Sequence, residues 1–133
     1  VLDELGISNL VKFLAPVPFL HALSNMMNCN ALLLIQDERF NKQIPGKLYE
    51  YLRTQKKLLV KSPIGSATEC LASRYDGVYS CYSENEAKTA LYELIKQANY
   101  SFERNLQEHS RECKAEQLHN TLKTLCAIEN ENT

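Results

Sequence analysis

The residues best suited to chemistry are Lys47 and Glu50, a cation and a carboxylate that follow directly on Pro45-Gly46. At a spacing of three, two side chains share one face of a helix, and the Pro-Gly pair fixes where that helix can begin. The first turn of a helix also leaves backbone N–H groups without intrahelical partners, which suits it to an anion. The chemistry expected here is binding, with one cation and one carboxylate facing the loop that leads into the helix. The plain alternative is a solvated helix pair worth a few tenths of a kcal/mol, roughly 0.2–0.5.

Two apolar runs must position that helix. Ala31-Leu32-Leu33-Leu34-Ile35 precedes it and Leu58-Leu59-Val60 follows it, so the order is strand, loop, helix, strand. A continuous apolar run of this kind is expected to be buried on both faces of a parallel sheet. In such sheets the loop after a strand lies at its carboxyl end, where α/β folds bind ligands. The polar loop over residues 36–43 carries Asp37, Glu38, Arg39, Phe40 and Lys42. After the second run, Ser62-Pro63-Ile64-Gly65-Ser66 leads into a short helix, with Ser66 or Thr68 as its cap. A single glycine followed by serine is weak evidence for a phosphate contact at Ser66, and simple capping is the stronger reading.

The remaining elements follow from the same signals. Residues 9–14 form an apolar, β-prone run, and Pro18 then opens a helix to about Asn28. Its Phe19, Leu20, Leu23, Met26 and Met27 make one stripe expected to be core, and His21 is given no role. Tyr75-Asp76-Gly77 is a turn and Val78–Cys81 a short strand near the sheet edge. Ser83 with Glu86 three residues on is a capping box. It opens a helix whose Ala87, Ala90, Leu91, Leu94 and Ile95 repeat with helical period to about Ala98. From Tyr100 to Ile128 an interrupted stripe of Phe102, Leu106, Cys113, Leu118, Leu122, Leu125 and Ile128 spans a polar middle at 107–117, which implies either a helix reaching beyond the core or two shorter ones. The expected fold is α/β, a parallel sheet of about four strands flanked by helices with a long C-terminal helix.

Composition narrows the function classes. With 133 residues and 44% hydrophobic content the chain can form one domain with a real core. Fifteen basic against sixteen acidic residues leave a net charge of -1, which gives no sign of a nucleic-acid surface. The five cysteines, Cys29, Cys70, Cys81, Cys113 and Cys126, are odd in number and widely spaced, and no histidine sits at metal-ligand spacing. They read as reduced thiols of a cytosolic protein, with no metal or cofactor expected. No apolar run approaches the roughly 20 residues that span a bilayer. The opening Val1-Leu2-Asp3-Glu4-Leu5-Gly6 reads as a helix end with its glycine cap, and points to a fragment of something longer.

The pattern Ala-x-Leu-Leu-Leu, loop, Ile44-Pro45-Gly46-Lys47-Leu48-Tyr49-Glu50-Tyr51-Leu52-Arg53-Thr54, turn, hydrophobic strand resembles the nucleotide-sugar-binding half of group-1 glycosyltransferases. These are retaining enzymes built from two Rossmann-like domains, the GT-B architecture. The resemblance implies that Glu50 holds the ribose hydroxyls of a nucleotide-diphosphate sugar, UDP- or GDP-linked. It puts Lys47 and the backbone at Pro45 and Gly46 near the diphosphate, and the loop with Glu38 near the sugar. One departure stands out. The family normally has another acidic residue with seven residues between it and the ribose-binding carboxylate, and that position is Lys42 here. Either the loop is longer, with Glu38 or Asp37 displaced, or that function is absent.

On this reading residues 1–133 are part of a donor-binding domain, with 99–128 as a helical extension that crosses toward an acceptor domain supplied by the missing N-terminal half. The parent would make a polysaccharide or similar glycan in the cytoplasm or at the cytoplasmic face of the membrane, and this chain alone would be inactive. The competing reading is a non-catalytic α/β module that binds a nucleotide or a partner. A receiver-like signalling domain is disfavoured, because the strand ends lack an acidic cluster.

Overall fold

The computed structural model describes residues 1–97 and 102–131, with side chains up to residue 127. Its elements in order are α1 (Phe19–Asn28), β1 (Ala31–Ile35), α2 (Gly46–Arg53), β2 (Lys57–Lys61), α3 (Ala67–Ala72), β3 (Val78–Cys81), α4 (Glu84–Lys96) and α5 (Arg111–Glu131), with 3-10 turns at Ser8–Leu10, Glu38–Phe40 and Gln107–His109. The strands form a parallel sheet in the order β1-β2-β3, so β3 is at an edge, as the sequence implied. Leu32 pairs with Leu58 and Leu58 with Val78, and each strand alternates its side chains between two faces.

On one face Leu34, Leu58 and Val60 meet Leu48 and Leu52 of α2 and Leu71 and Ala72 of α3, with Leu106 packed against the group. Leu48, Leu52, Leu58 and Val60 are 0% exposed. On the other face Leu59 and Cys81 meet α4, through Ala90 and Leu94. That helix covers β2 and β3 with Ala31 of β1 packed against the group, and leaves the rest of this side of β1 bare, Leu33 being 53% and Ile35 67% exposed. The expectation that β1 is buried on both faces is therefore corrected.

Capping follows the side-chain chemistry. Ser83 Oγ accepts from Glu86 N–H, and Glu86 Oε2 accepts from Tyr82 N–H, a box closed one residue early. Ser66 caps α3 by accepting from Glu69 N–H at 3.1 Å. Gly77 turns into β3 at φ +71, and an added Cβ would stand 2.6 Å from the Phe102 ring.

Four further expectations change. The run at 9–14 forms no strand; it holds part of a 3-10 turn and then irregular chain, so the sheet has three strands among the described residues. A strand needs a neighbour to take its N–H and C=O groups, and this run has none there. The opening at 1–6 is a single turn, closed by Leu5 N–H to Val1 C=O and by Gly6 at φ +66, not the end of an assigned helix. Helix α1 forms where expected but buries none of its residues, and Phe19 and Leu20 stand mostly exposed. On α4, Leu91 and Ile95 also face outward.

The final stretch is not one helix from its start. Phe102 and Arg104 are buried in a non-helical segment, and α5 begins at Arg111 and runs exposed, with Leu118, Leu122 and Leu125 uncovered. The expected end of α4 at Ala98, the start of the last stretch at 99–100 and the Ile128 side chain lie outside the described residues. Arg104 ties this segment down. Its guanidinium donates to Asp76 C=O at 2.7 Å, Lys56 C=O at 2.9 Å and Leu52 C=O at 3.3 Å. Burial pulls its pKa down, partly offset by Asp76. Gln55, the one described non-glycine residue at positive φ, +57, accepts from Arg104 N–H and donates to Arg104 C=O.

Candidate functional site

The carboxyl edge of the sheet carries the loops after β1, β2 and β3. The first of these is well fixed. Gln36 Nε2 donates to the carbonyls of Phe40 and Gln43, both at 2.8 Å, Thr68 Oγ1 donates to Gln43 C=O, and Ala67 N–H donates to Asn41 C=O. Asp37 caps the turn at Glu38–Phe40 and pairs with Arg39 at 2.8 Å, and that hydrogen bond holds its carboxyl below the usual range. Glu38 lies exposed in this turn. The loop expected to hang over the sugar is thus pinned to the start of α3 by backbone and side-chain bonds.

The loop delivers the chain to Pro45, the N-cap of α2, with φ -66, and no side chain caps the helix. Proline contributes no side-chain acceptor, so the first N–H groups of α2 stay open to a ligand. Nothing lies within 4 Å of where a Cβ on Gly46 would stand, so the approach is clear. Lys47 Nζ donates to Glu50 Oε2 at 2.7 Å, with the two side chains 48% and 43% exposed, and this bond raises the Lys47 pKa. An ion pair this exposed is worth at most about 1 kcal/mol, so either partner can turn to a ligand at little cost.

Glu50 also lines a groove of about 410 Å³ whose apolar wall is Phe19, Leu23, Met26 and Met27 of α1. The stripe expected to fill the core is instead one side of this groove. The fold therefore brings Pro45, Gly46, Lys47 and Glu50 together. Ser66 is buried, 2% exposed, and its hydroxyl is engaged as the α3 cap.

Three residues at this edge escaped the sequence reading. The Gln36 Oε1 and Ser62 Oγ atoms are buried with no hydrogen-bond partner among the described residues. They sit just past the ends of the paired strands β1 and β2, next to each other in register, since Gln36 N–H donates to Lys61 C=O. Lys61 ends β2 exposed and in no ion pair among the described residues. The available signal was that each is among the first polar residues after an apolar run. A smaller cavity of about 200 Å³ beside Ser62 is lined by Glu69 and Glu86, which accept from the backbone of Gly65 and Tyr82. The edge is polarised: N–H groups and Lys47 lie at α2, carboxylates between β2 and β3.

Among the described residues no group of histidines, cysteines and carboxylates could hold a metal ion, and no helix is long and apolar enough to cross a membrane. No protein-family model, curated protein or solved structure matches the chain.

Proposed function

We propose that this chain is the donor-nucleotide part of a Rossmann-like glycosyltransferase domain, and that it binds a nucleotide-diphosphate sugar at the amino end of α2. The observation that carries the reading is the uncapped start of α2 at the carboxyl edge, with Gly46 open to approach and Glu50 one turn along. The diphosphate lies on the Gly46 and Lys47 N–H groups with Lys47 Nζ beside it, and Glu50 accepts from the ribose hydroxyls. The base rests on the apolar wall of the α1 groove, whose volume of about 410 Å³ is within the range of small-molecule sites.

The chemistry this supports is electrostatic. As the bond from the sugar to the diphosphate breaks, negative charge grows on the leaving phosphate, and fixed N–H donors already aimed at it stabilise the transition state more than the ground state. The group that handles the acceptor comes from a separate domain. The three described strands run in sequence order, so the reading rests on the helix start and not on a reversal of strand order.

A second reading is favoured by the bare side of β1. Leu33 and Ile35 beside an open strand edge suit an α/β module that completes its sheet against a partner without catalysis. Ligand-observed NMR with UDP, GDP, ADP and CDP, repeated on Glu50→Ala, separates the two. Selective binding of one diphosphate, lost in the variant, supports the donor site and names the base. Binding indifferent to Glu50 moves the site elsewhere, and no binding by this chain or by a longer parent leaves the module.

A further inference from the structure

A cleft of about 770 Å³ opens between α2 and the segment entering α5. Its wall includes Tyr49 and Arg53 from α2, and Leu106, His109, Arg111 and Glu112 from the chain that crosses them. Arg53 and Arg111 are both exposed, and neither guanidinium is engaged in an ion pair or hydrogen bond among the described residues. Glu112, the carboxylate of this wall, pairs with neither of them. The cleft thus presents two guanidiniums free to bind, with Glu112 on its wall and Glu108 engaged beside His109.

The floor of the cleft is fixed by a hydrogen-bonded trio. His109 Nε2 lies 2.7 Å from the Tyr75 hydroxyl and 3.1 Å from Glu108 Oε1, and the Tyr75 hydroxyl donates to the same carboxylate at 3.1 Å. The His109 ring meets Tyr49 edge-on at 5.2 Å between centroids. Burial and the neighbouring Glu108 push the Tyr75 hydroxyl up, which keeps it a neutral donor. The segment bearing Arg111 is thereby held against the helix bearing Arg53, and both guanidiniums line one space.

We propose that this cleft is a second ligand site, for a small molecule that joins a flat apolar body to a phosphate or carboxylate group. Arg53 and Arg111 present planar donor forks that match either anion, and Tyr49 and Leu106 give the apolar body a surface. The volume of about 770 Å³ suits a drug-sized ligand. The site does not depend on the donor reading, because Arg111 lines this cleft and has no place at the carboxyl edge.

The test titrates the 133-residue chain with phenyl phosphate, benzoate, inorganic phosphate and phenol, followed by protein NMR shifts. Phenyl phosphate or benzoate is expected to bind and phenol is not, and the tighter of the two anions names the preferred group. Arg111→Gln and Arg53→Gln should each weaken binding about tenfold, the effect of losing one charge-assisted contact. Both side chains are exposed, so the fold should survive. Tyr49→Leu should weaken phenyl phosphate but not inorganic phosphate at this cleft, read from the shifts of Arg53, Leu106 and Arg111. Absence of binding by both aromatic anions, or binding that Arg111→Gln leaves intact, would overturn the proposal.

Discussion

The two faces of the sheet are built from the same strands yet are finished differently. On the α2–α3 face, Leu48, Leu52, Leu58 and Val60 are fully buried, and the crossing segment seals the rim through Leu106 and Arg104. On the α4 face one helix covers two strands, and the outward residues of β1 stay in water. The first face is a closed core made by this chain alone. The second is half a core, and its bare half adjoins the open edge of β1. The contrast puts the closed core on one side of the sheet and an uncovered apolar strip on the other.

Substitutions can sharpen that contrast. Leu52→Ala empties a fully buried position and should cost about 3 kcal/mol or more, read as a lower denaturation midpoint. Arg104→Ala leaves the carbonyls of Leu52, Lys56 and Asp76 without their donor; a loss of about 2–4 kcal/mol is expected, and Arg104→Lys should recover little, since one ammonium cannot span three acceptors. On the α4 face, Leu94→Ala should cost less, about 2 kcal/mol, because this core is smaller and open at one side. Smallest of all, Leu33→Ser with Ile35→Ser should shift stability of the isolated chain by no more than about 0.5 kcal/mol. A loss of several kcal/mol from that pair would mean the bare side of β1 is covered in solution, and the contrast would fail.

Much of the framework was legible in the sequence. The apolar runs of β1 and β2, the Pro45-Gly46 start of α2 and the Ser83–Glu86 box are local signals, and local physics sets them. What was not legible depended on distant partners. The run at 9–14 has strand composition but no neighbouring strand among the described residues, and the stripe of α1 has helical period but lines an open groove beside α2 instead of filling the core. Arg104 sits in a stretch whose apolar spacing suggests a helix, while its acceptors lie up to 52 residues earlier in the chain. The site divides in the same way. Gly46, Lys47 and Glu50 stand out because one helix start gathers them. Gln36, Lys61 and Ser62 come together only through the register of β1 on β2.

The most direct test of the central claim is an amide shift map of the isotope-labelled chain titrated with UDP and GDP. The account expects the largest shifts at Gly46 and Lys47, with smaller ones at Gln36, Lys61 and Ser62 and along α1 from Phe19 to Met27. Shifts confined to the cleft between Tyr49 and Glu112, with Gly46 and Lys47 unmoved at saturation, would contradict it.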